Sequence, residues 1–305
     1  MKHKSKYYKV APGIWGMKIL FVNIYMIASD GHWVLVDAGL AGSAGRILRM
    51  ADDLFNGVPP SAIVLTHGHF DHRGALPALL KTWDAPVYAH RLELPYLTGK
   101  SAYPPPDPTV GGGLMSVLSF LYPKQPIDLG SRVHALPVDG NIPFLPGWKT
   151  VHVPGHAPGQ VALFRSSDKT VIAGDTFVTT KQESAVFALS ALPFLSGPPK
   201  YFTYDWDAAK TSVKRLKDLM PKKAATGHGL PMYGHSLKSG LEKLIKNFDK
   251  VARPKHGRYV KSPALTDEHG VVLLPPQQTL PIVTALMGIL VIGLYAGLKI
   301  IRTNE

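Results

Sequence analysis

One stretch of this sequence, Thr66-His67-Gly68-His69-Phe70-Asp71-His72, is unusually rich in possible metal ligands. Three histidines and one aspartate fall within six consecutive positions, and side chains of these types are common metal ligands. His67 and His69 are two residues apart, so their side chains can point the same way and share one ion, while Asp71 and His72 can bind another. The apolar residues just before the stretch predict a buried strand that directs the cluster into the protein. The stretch therefore predicts a metal site with room for two ions.

Composition limits the chemistry of the site. The chain has 305 residues, enough for one large core with or without a small appendage. It contains no cysteine, which excludes disulfides, thiolate ligands and a cysteine nucleophile, so any metal must bind His, Asp or Glu. The formal net charge of +13 favours an anionic partner, which could be a membrane surface, a nucleic acid or an acidic substrate.

Local patterns predict alternating strands and helices around the metal stretch. Residues 19–28 and 33–36 read as a β-hairpin with Asp30-Gly31 at the turn, and residues 62–66 form a strand that leads into the histidines. Further strands are predicted at 86–89, 150–153, 161–165 and 171–173, and helices at 46–55, 74–83, 208–220 and 237–251. This order indicates a mixed α/β domain, and we predict one catalytic domain over residues 1–252.

Residues 100–147 interrupt this pattern with proline and glycine triplets and an apolar run at 114–122. A long irregular insertion of this kind is either a lid or binding loop, or a surface loop that covers the core. Tyr103, Phe120 and Tyr122 are its candidates for lining a pocket.

The C-terminal part predicts a membrane anchor. Residues 253–279 read as a basic tether and residues 280–301 as a transmembrane helix, the alternative for this apolar run being a buried core helix. The basic residues of the tether are Arg253, Lys255, Arg258 and Lys261. Their charge places the catalytic domain on the cytoplasmic side of the cell membrane, held by a single-pass anchor in contact with lipid. Gly293 and Gly297 form a small-xxx-small pair that is compatible with a dimer contact.

The stretch at 66–72 resembles the signature of the metallo-β-lactamase superfamily, and four further motifs of that family match in order. They are Asp37 in Leu35-Val36-Asp37-Ala38-Gly39, His156 in Pro154-Gly155-His156-Ala157-Pro158-Gly159, Asp175 in Gly174-Asp175-Thr176, and His228 in Thr226-Gly227-His228-Gly229. The resemblance covers about residues 10–230. It implies a four-layer αββα sandwich with metal ions at one edge of the sheets.

The resemblance also implies a ligand set for two ions, Zn²⁺ first and Fe or Mn as other candidates. His67, His69 and His156 would bind one ion, Asp71, His72 and His228 the second, and Asp175 would bridge both. Asp71 and Asp37 are the predicted catalytic residues. Asp71 would steer a proton, and Asp37 would orient the ligands through hydrogen bonds.

The predicted reaction is hydrolysis of an ester, thioester or lactone, in which a hydroxide that bridges the two metals attacks the carbonyl. The full ligand set resembles those of glyoxalase II and the quorum-quenching lactonases, whereas true β-lactamases of this fold lack the bridging aspartate. Other functions stay open: a phosphodiesterase or ribonuclease, an iron-dependent redox enzyme of the same fold, and a binding protein with a vestigial site. The predicted partner is a small-molecule substrate, and no nucleic acid is expected.

Overall fold

The structure, a computed structural model, describes residues 7–190 and 193–277. Its larger sheet has seven strands in sequence order, antiparallel from β1 to β4 and parallel from β4 to β7. These strands are β1 (Tyr8–Ala11), β2 (Ile14–Ile19), β3 (Val22–Ser29), β4 (His32–Val36), β5 (Ala62–Val64), β6 (Val87–Ala89) and β7 (Val133–Ala135).

A second sheet of five strands is ordered β12-β11-β10-β9-β8 and is antiparallel except where β10 and β11 run parallel. Its strands are β8 (Trp148–His152), β9 (Val161–Arg165), β10 (Thr170–Ile172), β11 (Lys223–Ala225) and β12 (Met232–Tyr233). A separate hairpin pairs β13 (Leu265–Asp267) with β14 (Gly270–Leu273).

The described helices are α1 (Ala44–Phe55), α2 (Phe70–Arg73), α3 (Leu76–Leu79), α4 (Leu94–Leu97), α5 (Leu114–Val117), α6 (Ala185–Leu189), α7 (Trp206–Asp218), α8 (Gly234–Lys246) and α9 (Phe248–Val251). Short 3-10 turns lie at Arg91–Glu93, Pro108–Val110, Leu118–Leu121, Gly130–Arg132 and Lys200–Phe202.

The layers follow the order helix, sheet, sheet, helix, as the αββα prediction requires. Alternate residues of each strand point to opposite faces, so each sheet contributes to two apolar interfaces. Val36 of the first sheet and Leu163 of the second lie in the core between the sheets. Ile47 of α1 packs on the outer face of the first sheet, and Val213 of α7 packs on the outer face of the second.

Several predicted elements are present with different bounds. The hairpin between β3 and β4 turns at Asp30 and Gly31, both with positive φ, as its sequence indicates. The predicted helix at 74–83 is shorter, because Pro77 lacks an amide hydrogen and fits only the first turn, so that α3 begins at Leu76. Within the 100–147 insertion, β7 adds an edge strand to the first sheet, which the sequence pattern did not indicate.

The described part of the predicted tether is packed against the insertion. The Asp107 carboxylate accepts a hydrogen bond from the Arg258 backbone amide at 2.5 Å. The Val271 amide of β14 donates to the Ser101 hydroxyl at 3.2 Å. Residues 253–277 therefore form ordered structure on the domain surface, where the sequence had predicted a basic linker.

The predicted transmembrane helix is corrected by the structure. Within residues 7–190 and 193–277, no helix is long and apolar enough to cross a membrane. The longest, α7 and α8, have 13 residues each. A helix of this size is about 20 Å long, whereas the apolar core of a membrane is about 30 Å thick and needs about 20 helical residues. The residues assigned to the span, 280–301 with Gly293 and Gly297, lie outside the described part of the chain. The assignment to the cell membrane rested on that span and is not retained.

Candidate metal centre

Five loops meet at one edge of the two sheets, and each follows the end of a strand. The loops after β4 and β5 carry Asp37 and the 66–72 stretch, and those after β8, β10 and β11 carry His156, Asp175 and His228. Parallel strands end at the same edge, which is why residues far apart in sequence converge here. All eight predicted site residues are buried.

The seven predicted ligands form three overlapping groups. Within each group the ligand atoms lie within 4.8 Å of one another. The groups are His67, His69 and His156; His67, His72 and Asp175; and Asp71, His72 and His228. The structure thus brings all seven side chains together.

Asp175 lies between the two sets of ligands that the family resemblance assigns to separate ions. Its Oδ2 is 2.9 Å from Nε2 of His228, 3.4 Å from Nε2 of His156 and 3.7 Å from Nε2 of His72. His156 belongs to the predicted set of the first ion, and His72 and His228 belong to that of the second ion. A carboxylate in this position can contact ions in both sets.

Hydrogen bonds fix which nitrogen His67 and His72 present to the centre. The Thr66 hydroxyl donates to Asp37 at 2.8 Å, so it accepts at 3.1 Å from Nδ1 of His67. Nδ1 of His72 lies 2.9 Å from Oδ2 of the same aspartate, to which it donates. Asp37 therefore belongs to none of the three ligand groups, but it orients His72 directly and His67 through Thr66. In both rings Nε2 is left free to bind a cation.

The other three rings are held in the same way. Nδ1 of His228 lies 2.7 Å from the Phe21 carbonyl oxygen. Nδ1 of His156 lies 3.4 Å from the Thr203 hydroxyl, and Nε2 of His69 lies 3.2 Å from the Tyr204 hydroxyl. Each ring thus keeps one nitrogen for the centre, Nε2 in four cases and Nδ1 in His69. This is the arrangement in which protein partners orient metal-binding histidines.

Three ligand atoms lack any hydrogen-bond partner among the described residues although they are buried: Nε2 of His67, Nε2 of His72 and Oδ1 of Asp175. Leaving a buried polar atom unsatisfied costs about 1–3 kcal/mol, and bonds to a cation would remove this cost. Imidazole and carboxylate donors of this number suit Zn²⁺ and other divalent transition metals. The residues present therefore fit bound divalent metal ions.

The pKa shifts of the three-histidine group favour neutral rings, and that of Asp175 favours the ionised carboxylate. Burial lowers the pKa of His67 and His69 well below the ordinary value, and lowers that of His156 to about 3. Burial alone would raise the pKa of Asp175, but the rings of His228 and His72 outweigh it, so this pKa is well below its ordinary value. Neutral imidazoles and an ionised carboxylate are the forms that bind cations.

His72 and His228 have pKa values shifted the other way. Burial lowers both, but the carboxylates of Asp175 and Asp71 outweigh burial and raise the pKa, with Asp37 adding to the effect on His72. These two rings hold protons more readily than an ordinary histidine in the metal-free chain. A cation that binds at this set would displace protons from these rings.

Two histidines given a minor role by the sequence lie outside the metal centre. Nε2 of His152 is 3.0 Å from the Pro158 carbonyl, and its ring stacks on His90. His235 is exposed at the start of α8. The orienting residues Thr66, Phe21, Thr203 and Tyr204 were missed, because nothing in the local sequence distinguishes them.

Aromatic rings, buried in Phe202 and half-buried in Phe21 and Tyr122, lie around the buried histidines. The ring of Phe21 lies 6.2 Å from that of His228, and Phe202 stacks on His69 at 4.5 Å. Tyr122, from the insertion, lies 6.0 Å from Phe202. Of the aromatic residues predicted to line a pocket, Tyr103 is buried with its ring 4.7 Å from that of His69, Tyr122 is half-buried with its ring 5.4 Å from that of Phe70, and Phe120 is about half exposed.

Exposed apolar side chains lie in α5, in the 3-10 turn after it and in α6, and we call them the apolar rim. They are Leu114, Val117, Leu118, Leu121, Val186 and Leu189. The Met115 amide of α5 donates to the Glu183 carbonyl at 3.0 Å, just before α6, so the two helices are neighbours. The Lys18 ammonium donates to the Ala188 carbonyl at 2.9 Å and ties α6 to the β2–β3 hairpin, which carries Phe21. The rim thus lies on two neighbouring segments, one that continues into Tyr122 and one that is tied to the hairpin of Phe21.

Comparisons with known proteins agree with this geometry. The sequence model of the metallo-beta-lactamase superfamily matches residues 17–228. The probable metallo-hydrolase YflN of Bacillus subtilis is 43% identical over 248 residues, which cover 80% of this chain and 94% of that protein. The probable metallo-hydrolase YybB of the same organism is 28% identical over 74% of this chain and 86% of its own length. The archaeal superfamily protein ST1585 from Sulfolobus tokodaii shares the fold, with a TM-score of 0.53 and 22% identity over 78% of this chain and 84% of that chain.

Proposed function

Since the chain belongs to the metallo-β-lactamase superfamily and is a metal-dependent hydrolase, we propose that it uses two divalent ions to hydrolyse esters, thioesters or lactones that carry an apolar acyl group. The position of Asp175 between the two ligand sets is the observation that carries the proposal of two ions. The apolar rim is the observation that supports the class of substrate. We propose Zn²⁺ as the metal.

Bound divalent ions supply Lewis-acid chemistry, because they lower the pKa of water towards neutrality and polarise a carbonyl. The chain's own residues hold and orient the reacting groups. Asp37 keeps His72 in place, and Asp71 lies with its Oδ2 3.6 Å from Nε2 of His228. Burial raises the pKa of Asp71. We place at Oδ2 of Asp71 the acceptor that takes up and passes on a proton as the acyl bond breaks.

The apolar rim favours a substrate with an acyl chain. Exposed apolar patches on soluble domains commonly mark binding sites. Here Leu121 of the rim directly precedes Tyr122, and α6 is tied by Lys18 to the hairpin that carries Phe21, whose ring lies 6.2 Å from that of His228. An acyl chain lying on the rim would place its carbonyl near the ligands, and removal of apolar area from water would contribute to binding.

The test compares acyl chain lengths on zinc-loaded protein. Replacing Leu121 and Val186 by serine removes two exposed apolar side chains of the rim, 65% and 77% exposed. We expect KM for a medium-chain ester or lactone to rise about tenfold, because partial burial of the two side chains together contributes about 1.4 kcal/mol, with acetyl esters unaffected. Val138→Ser is the matched control, because Val138 is fully exposed outside the rim.

Two results would contradict the proposal. Hydrolysis of phosphodiesters without any hydrolysis of esters, thioesters or lactones would overturn the substrate class. Equal effects of the rim variants on short and medium acyl chains would overturn the role of the rim.

A further inference from the structure

A buried glutamate outside the predicted ligand set joins the two loops that carry the three-histidine group. Glu93 ends the 3-10 turn after β6, and its side chain is fully buried. Its Oε2 accepts a hydrogen bond from the Gly68 amide at 2.8 Å, and its Oε1 accepts one from the Gly159 amide at 2.7 Å. Gly68 stands between the first two histidine ligands, and Gly159 follows the third by three residues. One carboxylate therefore spans both loops.

These loops come from different sheets. The loop with Gly68 follows β5 of the first sheet, and the loop with Gly159 joins β8 to β9 of the second. Stacked sheets are held mainly by apolar packing, which lacks direction. Hydrogen bonds from both loops to one side chain define the distance between them. That distance also separates His156 from the other two histidines.

Both glycines are required for the close approach of the loops to this carboxylate. A Cβ at Gly68 would lie 2.6 Å from the Tyr103 hydroxyl, and a Cβ at Gly159 would lie 2.9 Å from Oε1 of Glu93. The Arg73 Nε donates to the Gly68 carbonyl at 2.7 Å. The peptide segment between the first two ligands is thus held at both its amide and its carbonyl.

The site needs a group that only accepts hydrogen bonds. The Tyr103 hydroxyl donates to Oε2 of Glu93, in addition to the two backbone amides. A carboxylate can accept all three, whereas a glutamine has one oxygen and would turn its NH₂ group towards a donor. The pattern of donors therefore selects glutamate over its amide.

We propose that Glu93 is a positioning residue for the metal centre. It sets the spacing of the three-histidine group and thereby the affinity for the ion that this group binds. The inference rests on the proposed two-ion centre, but it concerns metal affinity and can be tested without any substrate.

The test measures Co²⁺ binding to the full, metal-stripped chain by its absorption spectrum and by calorimetry. We expect Glu93→Gln to weaken one of the two binding steps about 10–100-fold, the range typical for residues that orient metal ligands, and to leave the other step unchanged. The weakened step should be the Co²⁺ binding step whose absorption bands are lost in the His156→Ala variant. Equal weakening of both steps, or unchanged binding, would overturn the proposal.

A pair of tyrosine variants keeps the test valid if Glu93→Gln fails to fold. The rings of Tyr103 and Tyr96 stack at 3.8 Å, but only the Tyr103 hydroxyl contacts Glu93, while that of Tyr96 has no partner among the described residues. Tyr103→Phe should weaken the same Co²⁺ step several-fold, and Tyr96→Phe should not. Equal binding by both variants would contradict the inference. Wild-type chain that binds a single ion would instead contradict the proposed two-ion centre.

Discussion

Replacing Asp175 by alanine is expected to lower kcat/KM for hydrolysis by about 10³-fold or more, since loss of metal-based stabilisation costs several kcal/mol at about 1.4 kcal/mol per tenfold in rate. Among the described residues, only the Asp175 carboxylate forms ion-pair contacts within 4 Å with all three of His72, His156 and His228. Without it, the two ligand sets lose their common member. The measurement is steady-state kinetics with metal content determined on the same sample.

Asp84→Ala is the control for this substitution, because the Asp84 side chain is fully exposed and pairs only loosely with Arg132 at 3.7 Å. It should retain wild-type activity and metal content. An Asp175→Ala protein that keeps two ions and at least a tenth of the wild-type kcat/KM would refute the bridging role.

The second large effect is expected from a single methyl group at Gly227. A Cβ at this position would overlap Oδ1 of Asp175 and lie 2.8 Å from Cε1 of His72. The loop cannot easily move away, because the Gly227 amide donates to the Gly174 carbonyl and its carbonyl accepts from Asn23. Gly227→Ala should therefore displace the carboxylate and remove metal binding and activity to about the same extent as Asp175→Ala.

The matched control is Gly45→Ala in α1. A Cβ there would contact only Nη1 of Arg49 at 3.6 Å, and alanine is favoured over glycine in helices by about 1 kcal/mol. This variant should be as active as wild type and slightly more stable to heat. A Gly227→Ala chain with normal metal content and normal activity would show that the site tolerates the methyl group.

The metal ligands could be predicted from sequence because each follows a strand and stands in a short motif of recognisable order. His67 to His72 are dense enough to indicate a metal by themselves. Asp175 and His228 gain meaning only through the family resemblance, since a lone aspartate or histidine at a strand end has many structural roles. The family assignment is confirmed by the match over residues 17–228.

The groups that orient the ligands could not be predicted, because their contacts depend on the tertiary fold. The Phe21 carbonyl that holds His228 lies 207 positions away in the sequence, and any residue type supplies a carbonyl. Glu93 accepts hydrogen bonds from the amides of Gly68 and Gly159, which lie 25 and 66 positions away in the sequence. Neither residue stands in a motif. Such partners are visible only once the two sheets are placed face to face.

The fold itself shows the same division between local and long-range information. The β3–β4 hairpin could be predicted, because Asp30-Gly31 determines its turn locally. The three-residue strand β7 could not, since its place at the edge of the first sheet depends on pairing with β6. The long apolar run at 280–298 led to the prediction of a membrane anchor, for which the described residues provide no spanning helix.

Metal content and hydrolysis measured on one preparation of the full chain test whether this protein is a hydrolase with a two-ion centre. We expect the purified protein to bind about two Zn²⁺ per chain, to lose ester or lactone hydrolysis when a chelator removes them, and to recover it when Zn²⁺ is returned. A chain stripped of metal that hydrolyses these substrates at the original rate would contradict metal-dependent catalysis.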